Sequence, residues 1–313
     1  GVGGLGPAMG PGVAGGVPPL AQFRLPLHGY AARFSPFPYP TGSRVAVAAA
    51  QHYGIIGNGG LHVLNIHGNG EITEHKAFPT GDGLYDCCFS EQNEAHVIAS
   101  CGDGSVKLFD TNSASLQPLR VYMEHTAEVY GVDWNLVSGD TFLSSSWDNT
   151  IKHWSPASDR SLQTWAEHQY CVYCCAWSPV HESKFASVSG DGTAKLWDAR
   201  MPASVLTIIA HPNEVLTCDW NKYDENVLAT GSVDKTIKVW DVRAPRAPLE
   251  TLHGHQYAVR RLRFSPHSES LLVSCSYDMS VALWDLDKEP NPLIRRYCQH
   301  TEFVVGIDFN MFQ

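Results

Sequence analysis

Positive charge is in short supply in this sequence. It has 22 Lys and Arg against 32 Asp and Glu, a net charge of −10. Phosphate backbones are held by clustered Lys and Arg, so nucleic acid is excluded as the main partner. The acidic balance suits basic ligands instead. Also lacking is any stretch near the roughly 18 consecutive apolar residues of a membrane-spanning helix. No signal peptide is visible, but the chain begins at Gly rather than Met, so this says little about targeting. Zinc-type spacing is missing too. "CVYCC" holds one C-x-x-C (Cys171, Cys174), with no second pair or His cluster to complete a site. The nine Cys are odd in number and lie mostly in apolar runs, which reads as buried free thiols of a reducing compartment. There is no Walker loop, nucleophile elbow or HExxH. No metal, cofactor or catalytic residue is expected, and the chain reads as a non-enzyme.

What is present is a repeat. Segments ending in an aromatic residue recur: "YAARF" to Phe34, "LYDCCF" to Phe89, "VYGVDW" to Trp134, "VYCCAW" to Trp177, "VLTCDW" to Trp220, "VRRLRF" to Phe264 and "VVGIDF" to Phe309. Read from those positions, the first step is 55 residues and the later ones are 45, 43, 43, 44 and 45. The long first step predicts an insertion, placed around "NIHGNGE". Two more strand-like runs follow in each unit, such as "KFASVSGD" and "TAKLWD", and a fourth precedes the next unit, such as "VLTIIAH". Short runs of β-branched and aromatic residues between Gly, Asp and Asn turns are strands. Four strands per unit of this length make a β-propeller blade.

The units resemble WD-repeats over roughly residues 21–313. The expected fold is all-β, a seven-bladed WD-repeat β-propeller. Its seventh blade is expected to be incomplete: the inner strand ends at Phe309, "AQFRLPL" (21–27) supplies an outermost latch strand, and two middle strands are missing through C-terminal truncation. Residues 1–20, Gly- and Pro-rich and uncharged, are expected to be disordered.

The stretch "SGDGTAKLWDAR" could be a phosphate or metal site, but its Asp191 recurs as Asp103, Asp148, Asp234 and Asp278. A catalytic group occurs once; a structural one recurs in every blade. The resemblance implies that this Asp bonds the His before the next inner strand. The histidines are His125, His168, His211 and His255, each also meeting a Ser or Thr and the blade Trp: Trp154, Trp197, Trp240 or Trp284. A buried carboxylate needs such partners.

Function must then come from the surface. The Asp turns and the His-bearing connections share one rim, the top face. Three acids stand beside them, Asp82, Glu128 and Glu214, with Glu302 in the last unit. Aromatics collect there as well: Tyr30, Tyr85, Tyr130, Tyr170, Tyr173, Trp147, Tyr257 and Tyr277. An acidic, aromatic rim suits a basic, amphipathic peptide.

Stretches such as "AQHYGIIGNG", "EHQYCVYCCAWSP", "GHQYAVRRLRFSPH" and "HTEFVVGIDF" go beyond generic repeat grammar. From about residue 28 to the end the chain resembles the WD-repeat peroxins that serve as import receptors for type 2 peroxisomal targeting signals, the plant-type sequences nearest. The resemblance implies a soluble cytoplasmic receptor that cycles to the peroxisome. It binds N-terminal signals of matrix proteins, works with a co-receptor (the type 1 signal receptor or its long form) and meets a docking complex at the peroxisomal membrane without spanning it. The signal is a basic residue, an aliphatic one, five variable residues, then His or Gln and Leu or Ala. On a helix these four defining positions share one stripe. Asp82, Glu128 and Glu214 are assigned to its basic residues, and Tyr85, Trp147, Tyr173, Tyr257 and Tyr277 to its apolar side. The alternative is a substrate receptor of a cullin-RING ubiquitin ligase, suggested by "WDAR" (Trp197–Arg200) and "WDVR" (Trp240–Arg243).

Overall fold

The structure, a computed structural model, describes residues 21–312. The expectation for residues 1–20 lies outside the described residues. Six antiparallel four-stranded sheets follow one another, over residues 28–80, 84–123, 129–165, 172–209, 215–253 and 259–297. In each, spatial order is sequence order, so each is a meander, and the innermost strands of consecutive sheets touch. These are propeller blades, here blades one to six.

Position within the blade decides the residue pattern. Inner strands are covered on both sides by neighbouring blades, so Val215–Trp220 and Val259–Phe264 are buried throughout. Outer strands meet water on one side: Leu206–Ile209 buries Ile208 and exposes Ile209. The apolar core fills the gaps between adjacent blades. Val106, Leu108 and Tyr122 of blade two pack with Val132, Trp134, Phe142 and Trp154 of blade three. Burying a large aromatic side chain of this kind stabilises by roughly 1.5–3 kcal/mol, and the interblade seams repeat it.

The expected seventh blade is corrected by the structure, which has six blades among the described residues. Residues 303–310 carry no strand, and neither does 21–27, the expected latch. The reason is pairing. A strand exists by its ladder, and without middle strands neither segment has a neighbour to bond. The segment 303–310 instead bridges blades six and one. The Val304 amide donates to the Ser276 carbonyl at 3.3 Å, and His267 Nε2 to the Asn310 carbonyl at 2.7 Å. Asn310 Nδ2 donates to Ser43 Oγ at 2.7 Å, and the Phe34 amide to Asp308 Oδ2 at 2.8 Å. That last bond repeats an interblade motif: the Trp177 amide meets Asp133 and the Phe264 amide meets Asp219, each at 2.8 Å.

The insertion in the first unit is also relocated. The turn at 68–71 is short; the extra length lies in three strands of nine residues and in the loop 51–58 on the top rim.

The opening turn of each middle hairpin needs a left-handed residue after the Asp. Gly192 has φ 81°, while Asn149, Lys235 and Met279 occupy the same place at 69°, 75° and 63°. A Cβ on Gly192 would stand 2.8 Å from the His211 carbonyl oxygen. Here "SGDGT" is a tight turn. Its Asp191 accepts from His168 Nδ1 at 2.9 Å; His168 Nε2 meets Ser187 Oγ at 2.8 Å, and Trp197 Nε1 donates to the same oxygen at 2.8 Å. The same set appears as His125–Asp148–Ser144–Trp154, His211–Asp234–Thr230–Trp240 and His255–Asp278–Ser274–Trp284. One detail is corrected: each Asp bonds the His that precedes its own blade's inner strand, not the next one. That connection runs over its own blade, which brings a His 23 residues upstream above the turn. In blade two the network position 23 residues before the Asp holds Thr80 rather than His, and Asp103 takes Lys107 Nζ at 2.5 Å.

Candidate functional site

The top rim is built from two kinds of loop: the turns just described and the connections that enter each inner strand. Tyr30, Tyr85, Tyr130 and Tyr173 stand at corresponding places near the start of inner strands of blades one to four, and geometry makes them neighbours around the axis. Their rings form a continuous path. Tyr30 meets Tyr85 edge-on at 5.3 Å, Tyr85 stacks on Tyr130 at 4.8 Å, and Tyr130 meets Tyr173 edge-on at 5.7 Å. Trp147, from the turn of blade three, stacks on Tyr130 at 5.1 Å and stands 6.0 Å from Tyr173. Such pairs add about 0.5–1.5 kcal/mol each beyond burial and hold one another's orientation.

The carboxylates flank this path. Glu214 Oε2 accepts from the Tyr173 hydroxyl at 3.2 Å. Burial first, then the Glu214 charge, pushes the Tyr173 phenol well above its ordinary value, so it stays a donor. Tyr85 is raised in the same way by burial, with Tyr130, Asp82, Tyr30 and Glu128 adding to it. Asp82 Oδ1 accepts from the Gly83 amide at 2.7 Å, which fixes its carboxylate at the entry to blade two. The Glu128 carbonyl accepts from the Trp147 amide at 3.0 Å, tying the acid's loop to the turn that presents the indole.

Not all assigned residues join. Tyr257 is 62% exposed and stands off the ring path, with Lys235 Nζ 6.0 Å from its ring. Tyr277 packs instead on Phe303 at 5.1 Å, on the side where residues 303–310 pass. Tyr170 is exposed and leans against Gly190.

The loop 51–58 was not singled out as a site, and it covers part of the rim. The Gly54 carbonyl accepts from the Tyr85 hydroxyl at 2.7 Å, and the Tyr53 carbonyl accepts from the Tyr30 hydroxyl. His28 stacks on Tyr53 at 4.4 Å, and the Tyr53 hydroxyl donates to Glu302 at 3.4 Å. At its tip Ile55 and Ile56 stand in solvent, 79% and 69% exposed. The long first step and the "YGIIG" stretch carried that signal. Arg260, buried in the inner strand of blade six, was not singled out either, because nothing in a single sequence marks one arginine of "VRRLRF" as buried.

Comparisons with known proteins agree with this architecture. A model of the "WD domain, G-beta repeat" matches residues 69–110 and 116–155, and an "EIPR1 beta-propeller" model matches 155–284. A "Peroxisomal targeting signal 2 receptor" of Dictyostelium discoideum is 65% identical over 294 residues, covering 94% of this chain and 92% of that protein. "Peroxisome biogenesis protein 7" of Arabidopsis thaliana is 60% identical over 294 residues, 93% of this chain and 92% of that protein. The human "Peroxisomal targeting signal 2 receptor" is 52% identical over 282 residues, 90% and 85% of the two chains. The cullin-ligase alternative is not supported. Besides the relatives' names, Arg200 and Arg243 each fold back on the Asp of their own Trp-Asp, Asp198 and Asp241, with N–O distances of 2.5 and 2.8 Å. On identity held across nearly the whole chain, the protein belongs to the family of peroxisomal targeting signal 2 receptors, built as a WD-repeat β-propeller.

Proposed function

We propose that this protein is a cargo receptor whose top rim seats the helical type 2 signal of peroxisomal matrix proteins. Asp82, Glu128 and Glu214 attract and position the signal's basic residues. Tyr85, Trp147 and Tyr173 contact its apolar stripe, with Tyr257 and Tyr277 as further contacts on that side. The observation that carries this is the pairing of carboxylates with one unbroken run of aromatic rings, Glu214 bonded directly to Tyr173. A short amphipathic helix with a cationic side chain fits such a surface in both shape and charge.

Exposed ion pairs are worth only about 0.2–1 kcal/mol each. Ordering an unstructured signal costs roughly 2–5 kcal/mol. Charge alone therefore falls short of tight capture. A co-receptor that covers the signal would exclude water and strengthen each pair, as would burial of the apolar stripe. The co-receptor is the type 1 signal receptor or its long form. The loaded receptor then meets the docking complex at the peroxisomal membrane and returns to the cytoplasm. The role is binding rather than catalysis. Calorimetric titration of a type 2 signal peptide into the Glu128→Lys protein tests the site. Affinity is expected to fall about fivefold or more while the melting temperature holds; unchanged affinity removes Glu128 from the site.

A further inference from the structure

Four arginines lie at the propeller axis, and three of them have carboxylates. Arg261 Nη1 stands 2.7 Å from Asp86, Arg263 Nη1 3.3 Å from Asp219, and Arg33 Nε 3.8 Å from Asp86. Arg260 differs. It is only 3% exposed, and among the described residues no carboxylate comes within 4.0 Å of it. Its Nη2 is buried without a hydrogen-bond partner. Asp86 acts on it only from beyond contact distance, and a buried guanidinium with no carboxylate in contact and an unsatisfied N–H is costly. Groups of this kind commonly mark the place of an ion or ligand.

The surroundings of Arg260 lead to the rim. Its Cζ lies 4.9 Å from the ring centre of Tyr130, and it lowers the Tyr277 phenol against the upward push of burial. Both tyrosines line a cavity of about 650 Å3 at the rim end of the axis, where the edges of blades six and one meet Tyr130 of blade three, together with Tyr30, Tyr53, Ile55 and Phe303. Burial raises the Tyr277 phenol, so its hydroxyl stays protonated and can donate, whereas the Tyr30 hydroxyl, held up at about 12, is already given to the Tyr53 carbonyl. Of the acids, Glu302 lines the cavity, and its Oε2 is engaged by Tyr53. Arg260 does not line the cavity itself, but it is hydrogen-bonded to Tyr277 and lies against Tyr130, and phenol donors with a guanidinium behind them suit an anion.

We propose that this cavity is a carboxylate-binding subsite, in which a carboxylate accepts from the Tyr130 and Tyr277 hydroxyls with the Arg260 charge directly behind them. The carboxylate arrives either as a side chain of a polypeptide seated on the rim or as a free small acid. The apolar edge given by Ile55 and Phe303 accommodates the carbon chain that carries it.

The test is saturation-transfer NMR on the full chain with sodium acetate, and acetamide as the uncharged match in shape. Acetate should give a saturable signal and acetamide none. Tyr277→Phe should weaken acetate about threefold to tenfold, the span of one hydrogen bond, and Arg260→Gln should abolish it. Should Arg260→Gln fail to fold, Tyr277→Phe and Tyr130→Phe, which remove single hydroxyls, decide the matter. A capped Leu-Glu-Leu peptide compared with Leu-Gln-Leu separates the sources: tighter binding of the Glu peptide than of acetate marks a polypeptide-borne group, and binding of acetate alone marks a free acid. No saturable acetate signal, or equal signals in wild type and the phenylalanine variants, overturns the proposal and leaves water as the partner of Nη2. Acetate reports on this cavity alone and the signal peptide on the receptor function, so either can fail without the other.

Discussion

Ser187 shows how much one small side chain carries in this fold. Its Oγ meets both His168 Nε2 and Trp197 Nε1, each at 2.8 Å, in a fully buried position. Ser187→Ala leaves the buried Trp197 Nε1–H and His168 Nε2 both without a partner and is expected to cost about 1–3 kcal/mol, read as a lower urea midpoint with an unchanged slope. The network's aspartates give a pH signature. Burial alone pushes Asp234 up, but hydrogen bonds from His211, Thr236 and the Thr236 amide prevail and hold it at about 2. Asp148, Asp191 and Asp278 are lowered against burial in the same way. A carboxyl depressed in the folded state stabilises above its unfolded value of about 4 and loses that contribution as pH falls through the folded value. Thermal melts from pH 5 to pH 2 should therefore drop steeply below pH 4, and Asp234→Asn should flatten part of the drop. These residues were legible in the sequence because their spacing recurs in blade after blade. Arg260 was not, since its burial is a property of an inner strand covered from both sides, which periodicity does not report.

At the scale of elements, the four-strand meander could be read from alternating turn and strand residues, and the structure has it six times. The seventh could not be judged from repeat counting. An inner-strand sequence such as "VVGIDF" becomes a strand only when a neighbour bonds it, and residues 303–310 have no middle strand beside them. The insertion was misplaced because a 55-residue step gives its size and not its position. The extra length lies in three long strands and the loop 51–58, and that loop depends on Gly54. That residue has φ 70°, and a Cβ there would stand 2.7 Å from Tyr85 and 2.9 Å from the Tyr30 hydroxyl. Gly54→Ala should lift the loop off both rings, changing the near-ultraviolet circular dichroism of the tyrosines while lowering the melting temperature by only a few degrees, about 1 kcal/mol. An unchanged near-ultraviolet spectrum would show that the loop does not hold the rings.

Over the whole molecule, the blades are joined through charges around the axis. Asp133, Asp219 and Asp308 each tie one inner segment to the next through a backbone amide at 2.8 Å. The opposite end of the axis from the rim opens into a cavity of about 360 Å3 lined by Arg33, Glu91, Asp133, Lys222 and Arg263. Burial, and then Asp133, pushes Glu91 up to about 7. A carboxyl raised in the folded state stabilises below its unfolded value and loses that contribution as pH rises through the folded one. Glu91→Gln should therefore raise the melting temperature by about 3 °C or more at pH 8 and leave it nearly unchanged at pH 4; equal effects at both would place Glu91 in water. The two ends of the axis thus differ. One is a run of aromatic rings with carboxylates at its margin, the other a mixed-charge mouth. Hydrogen-exchange mapping with saturating type 2 signal peptide compares them directly. Protection is expected in the rim segments 81–85, 126–130, 169–173 and 211–214. Protection confined to 135–141, 178–183 and 221–226, the loops at the other end, would contradict the rim as the seat of the signal.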